Sequence, residues 1–128
     1  MAWVELVTLL ALIELVAFSA LVARARGRYG VHAPATTGNE IFERYYRVQV
    51  NTIETLILFL PALWIAAAYW SPRWLAALGS LYLLGRLLYL QAYVSDPKKR
   101  GIGYGLSVLP VVALIAAGLL GVLRTLLR

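Results

Sequence analysis

Arg47, Asn51 and Glu54 stand at i, i+4 and i+7. On a helix this spacing gathers a cation, an amide and a carboxylate on one stripe. Arg44 flanks the stripe. Gln49 lies about 200° around the helix from Arg47 at 100° per residue, so it faces another direction. Polar groups at membrane depth normally face a cavity or a partner. The stripe alone also fits a purely internal arrangement, with Arg47 paired to Glu43 or Glu54, and names no function.

A second group lies later in the chain. Tyr89 and Tyr93 are four residues apart, so their hydroxyls share a helix face, a placement equally suited to interfacial anchoring. Arg86 sits about two turns deeper than Tyr93 and needs a partner there. The segment Asp96-Pro-Lys-Lys-Arg100 adds cations at the same end. Together these residues describe a polar, cation-rich pocket suited to an anionic, many-donor ligand, with an apolar co-substrate arriving from lipid. The chain has no cysteine and a single histidine, His32. This excludes disulfides, a thiolate metal site and a protein thiol nucleophile, and leaves too little for a histidine metal site, so no metal is expected.

The elements that position these residues are apolar helices. Of the 128 residues, 62% are hydrophobic and 14% charged, with a mean hydropathy of +0.77. A soluble domain carries about 45–50% apolar and about 25% charged residues, so lipid must cover part of this surface. The expected fold is all-α: one domain, residues 1–128, forming an integral membrane four-helix bundle with helices over about 2–23, 40–69, 73–94 and 104–123. A span of about 20 residues crosses a hydrocarbon core of about 30 Å. The first span is not read as a signal peptide, because no basic residue precedes it, it contains Glu14, and three spans follow. Asn39 is placed to cap the second helix. Pro61 invites a kink in it.

The net charge of +6 reflects basic residues flanking the spans, and no nucleic acid partner is expected. Arg24, Arg26 and Arg28 lie in the first loop and Lys98, Lys99 and Arg100 in the third, whereas the second has only Arg73. The positive-inside rule then puts loops one and three, with the pocket, on the cytoplasmic side. Glu14 and Arg86 lie at depths differing by about 2 Å, at 1.5 Å per residue. They are expected to form a structural ion pair, directly or through one polar neighbour.

Phe42-Glu-Arg-Tyr-Tyr-Arg-Val-Gln-Val-Asn-Thr-Ile-Glu54 and Gly85-Arg-Leu-Leu-Tyr-Leu-Gln-Ala-Tyr-Val-Ser-Asp-Pro-Lys-Lys-Arg100 resemble two signatures of the MAPEG family, the membrane-associated proteins of eicosanoid and glutathione metabolism. Asn51-Thr-Ile-Glu54, Ser71-Pro-Arg73 and Asp96-Pro-Lys-Lys-Arg100 bring the chain nearest to the third type of microsomal glutathione transferase and its bacterial relatives. The resemblance implies a homotrimer that binds glutathione between subunits and acts as a glutathione transferase or peroxidase on hydrophobic electrophiles or lipid hydroperoxides. By motif position it assigns glutathione binding to Arg26, Arg47, Gln49, Asn51, Glu54, Tyr89 and Tyr93. Arg100 becomes the thiol-activating residue, assisted by Tyr89. Gly27 and Thr55 replace an arginine and a tyrosine of the leukotriene-forming synthase, which points away from leukotriene synthesis and toward general detoxification.

Two other readings use the same features. One is a non-catalytic, lipid-binding member of that family, which the presence of Arg100 argues against. The other is a small proton-coupled multidrug transporter using Glu14, against which stand the long first loop, the polar start of the second helix, and Arg86.

Overall fold

The computed structural model describes residues 1–128 as four long helices: α1 (Ala2–Tyr29), α2 (Glu40–Ala67), α3 (Pro72–Ser95) and α4 (Gly101–Leu126), with a short 3₁₀ turn, Pro97–Lys99, before the last. All four are long and apolar enough to cross a membrane. Large aliphatic side chains such as Ile13, Val16, Ile57, Leu84 and Leu109 point outward. That arrangement is stable where lipid, not water, is the neighbour.

Local chemistry sets the helix ends. α1 runs six residues beyond the expected Ala23, through Arg24, Arg26 and Arg28. Gly27 does not break it, and Val22 and Ala25 continue its buried face. It stops where Gly30 takes a left-handed conformation at φ 67° and returns its N–H to the Arg26 carbonyl, a glycine C-cap. The Asn39 side-chain oxygen accepts from the Ile41 and Phe42 amides, both at 3.0 Å, and starts α2. That helix is continuous through Pro61 and ends at Ala67, two residues short of Tyr69. Pro72 occupies the first turn of α3, where its missing N–H costs nothing. Asp96 accepts from the Lys98 amide at 3.1 Å, ordering the turn so that α4 begins at Gly101, three residues earlier than expected.

The bundle packs α2 against all three other helices. Its main core lies at the end opposite the basic loops and includes Val4 and Val7 of α1, Phe59 and Leu63 of α2, Leu75 and Tyr82 of α3, and Leu114 of α4. Phe59 and Tyr82 stack with centroids 4.0 Å apart. Where burial from water no longer drives helix association, close backbone approach does. α3 and α4 achieve it through glycine: a Cβ on Gly85 would meet the Ser107 backbone and hydroxyl, and one on Gly103 would collide with the Tyr89 backbone. Gly103 thereby seats the first turn of α4 directly on the α3 residue that carries Tyr89.

Candidate functional site

At the basic end, α2, the end of α3 and the start of α4 enclose a cavity of about 630 Å³ lined by Arg47, Asn51, Tyr89, Tyr93, Lys98, Arg100, Gly101 and Tyr104. Three cations line this cavity and no carboxylate does, so its lining suits an anion. A second cavity of about 420 Å³ shares Arg47 and Tyr93 with it and adds Thr36, Glu40, Glu43 and Arg44.

The α2 stripe supplies one wall. Arg47 and Glu54 face each other at 3.9 Å, each side chain about half exposed (53% and 54%). A pair this open contributes little to stability and leaves both groups available to a ligand. Asn51 is buried, and its amide is engaged at both ends. Its nitrogen donates to Glu54 Oε2 at 3.4 Å, and its oxygen accepts from Arg86 Nη1 at 2.7 Å.

α3 supplies the floor. The Tyr89 and Tyr93 rings lie 5.4 Å apart, and Tyr104 of α4 closes against Tyr89 at 6.2 Å. Tyr89 is buried and makes no hydrogen bond within the chain, so its ring is held by packing and by the Arg86 guanidinium 4.4 Å from its centroid. The third loop supplies the rim. Arg100 is exposed and donates from Nη1 to the Pro97 carbonyl at 2.7 Å. Arg44 ties this loop to α2: its Nη1 donates to the Val94 and Ser95 carbonyls at 3.0 and 3.3 Å, and its Nη2 pairs with Glu40 at 2.6 Å. A cation on the last carbonyls of a helix also complements its dipole.

Five expected site residues therefore meet in one cavity: Arg47, Asn51, Tyr89, Tyr93 and Arg100. Glu54 stands beside it through Arg47 and Asn51. Two others are elsewhere. Arg26 lies over the Phe42 ring at 4.7 Å and donates to the Ala35 carbonyl at 2.6 Å, bracing the first loop. Gln49 points at α1, where its amide donates to Ser19 Oγ at 2.9 Å. Lys98, one of the loop cations and exposed, also lines the cavity, as does Tyr104, to which the sequence assigned no role. Tyr104 had a usable signal: with α4 starting at Gly101, it falls in the first turn, facing back toward the loop.

The expected pairing of Glu14 with Arg86 is found neither directly nor through one polar neighbour: Glu14 makes no side-chain hydrogen bond to any Arg86 partner. Only Glu40–Arg44 and Arg47–Glu54 approach within 4 Å. Arg86 is fully buried, and its bonds go to neutral groups: Nε to Ser107 Oγ at 2.8 Å and Nη1 to Asn51 and, at 3.4 Å, Thr52. One Arg86 nitrogen, Nη2, and one Glu14 oxygen, Oε1, are buried without a hydrogen-bond partner. Matching depth set the two residues level but did not fix which way each side chain turns.

Comparison with known proteins adds the family. The profile of the MAPEG family matches residues 4–120. An uncharacterized protein of Synechocystis sp. is 46% identical over 121 residues, covering 94% of this chain and 88% of that one. Human microsomal glutathione S-transferase 2 is 37% identical over 110 residues, covering 86% and 75%. Leukotriene C4 synthase of Bos taurus is 38% identical over 117 residues, covering 91% and 78%. Nearness to the third type of microsomal transferase rests on the short motifs alone.

Proposed function

As the chain belongs to the MAPEG family, we propose that it is a membrane-bound glutathione transferase, activating the glutathione thiol for attack on hydrophobic electrophiles or lipid hydroperoxides. The observation that carries this reading is the cavity whose wall holds Arg47, Lys98 and Arg100 together with Tyr89, Tyr93 and Tyr104. Glutathione is a polar tripeptide with two carboxylates, one ammonium group and one thiol. Arg47 and Asn51 offer donors to its carboxylates and carbonyls, and Glu54 offers an acceptor to its ammonium group. The thiolate is the reactive form, and a nearby cation favours it. Arg100 supplies that cation at the rim, because arginine keeps its charge at any working pH. Tyr89 can add a hydrogen bond to the same sulfur. In transfer to an electrophilic carbon, the thiol proton leaves to solvent, the S–C bond forms, and the leaving group departs with the bonding pair.

Assembly as a homotrimer belongs to the same proposal. Arg26 and Gln49 lie outside the cavity of their own chain. A site shared between subunits would give both a place in a neighbour's ligand shell. The cation-rich end faces the cytoplasm in this reading, where glutathione is available, while the outward aliphatic surface admits the apolar co-substrate from lipid.

The test is thiol-difference absorbance on detergent-purified protein titrated with glutathione. A saturable thiolate band at neutral pH is expected, with conjugation of a model apolar electrophile. Binding without a thiolate band and without turnover would reject the enzymatic reading in favour of a lipid-binding role.

A further inference from the structure

A side-chain amide can present either its oxygen or its nitrogen, and only its partners decide which. For Asn51 the decision is made from beneath. Its oxygen lies 2.7 Å from Arg86 Nη1, and a guanidinium carries donors only. Turning the amide over would set an NH₂ group against a buried cation and forfeit a charge-assisted bond.

Arg86 has little freedom to move aside. It is fully buried. Its Nε donates to Ser107 Oγ at 2.8 Å, and that hydroxyl donates onward to the Gly103 carbonyl at 2.7 Å. Its face lies 4.4 Å from the Tyr89 ring centroid. Asn51 lines the cavity, and its nitrogen is thus directed toward Glu54 Oε2, 3.4 Å away and beside it.

We propose that Arg86 is a positioning residue that sets the polarity of the site: it makes Asn51 an obligate donor at the cavity wall. The ligand group recognised by Asn51 is then an acceptor, a carboxylate or carbonyl oxygen, and not an amine. This rests on glutathione being the ligand only for the binding half of its test. The inward bond of Asn51 can be judged without any ligand.

The test compares Asn51→Asp and Asn51→Leu with the unaltered protein. Asp keeps an oxygen for Arg86 but has no NH₂ to offer the ligand. Leu offers neither. In ligand-free thermal unfolding in detergent, with both variants made in a Glu54→Gln background so that the introduced carboxylate does not face Glu54, Asn51→Asp should melt within a few degrees of that background or above it. Asn51→Leu should melt clearly lower, because it leaves the buried Arg86 Nη1 with only its long 3.4 Å contact to Thr52. In steady-state kinetics, Asn51→Asp should raise KM for glutathione about tenfold or more, the effect of about 1.4 kcal/mol, while kcat at saturation stays within about threefold of the parent. Equal melting losses for Asp and Leu would overturn the inward bond. An unchanged KM in a stable Asn51→Asp protein would overturn the donor role. If the parent protein itself binds no glutathione, the proposed function fails, and the melting comparison still decides the Arg86–Asn51 arrangement.

Discussion

Replacing Arg100 with alanine tests the chemistry most directly. A free thiol has a pKa near 8.5, so about 3% is thiolate at pH 7. A unit charge about 4 Å away contributes about 4 kcal/mol at an effective dielectric near 20, equivalent to about 3 pKa units. Arg100 is exposed, and one of its nitrogens is already held by the Pro97 carbonyl, so solvent screening reduces this to about 1–2 units. With the bound thiol near pKa 7, about half is thiolate at pH 7, and Arg100→Ala should lose about 15-fold in thiolate absorbance and in single-turnover rate. The sign sets the pH dependence. A cation lowers the thiol pKa, so the deficit should grow to about 30-fold below about pH 6 and nearly vanish by about pH 9.5, where either thiol is ionised. Glutathione should still bind through the α2 wall. A variant that keeps its thiolate band and rate at pH 7, or whose deficit persists unchanged at pH 9.5, would refute the electrostatic role.

Three further outcomes follow from the same geometry. Arg47→Ala should mainly weaken glutathione binding, by about 1–2 kcal/mol or roughly 5–30-fold, with the thiolate band recovered at saturating ligand; loss of the band at saturation would move Arg47 into the activation step. Glu14→Gln should change the melting temperature more than it changes glutathione binding, because Glu14 has one buried oxygen without a partner and lies outside the cavity. Glutathione affinity should stay within about twofold, and a larger change in affinity than in stability would be the contrary result. Mass measurement in detergent should give a trimer, and a stable monomer that retains turnover would show the site to be complete in one chain.

Much of the architecture was legible because hydropathy reports lipid exposure directly. The ends were harder. Arg24 to Tyr29 reads as loop from its charges and Gly27, yet arginine is a good helix former, and a helix is free to project beyond the hydrocarbon. The site was legible where periodicity carried it: Arg47, Asn51 and Glu54 share a stripe, and the off-stripe angle of Gln49 agrees with its turn toward Ser19 of α1. It was illegible where the answer depended on a second helix. Nothing local to Arg86 shows that Asn51, Thr52 and Ser107 converge on it. Lys98 looked like any basic loop residue, because its place on the wall depends on the turn that Asp96 caps.

The way Arg86 is buried bears on the whole site. A buried cation usually finds a carboxylate, and here an amide, two hydroxyls and an aromatic face stand in its place. Neutral acceptors satisfy most of its N–H groups without cancelling its charge. Burial in a low-dielectric surround weakens screening, so that charge reaches the Tyr89 floor of the cavity more effectively than an exposed lysine would. The cavity is therefore positive from two directions, from its lining through Arg47, Lys98 and Arg100 and from below through Arg86. A carboxylate placed directly on Arg86 would make a more conventional ion pair and a poorer anion site.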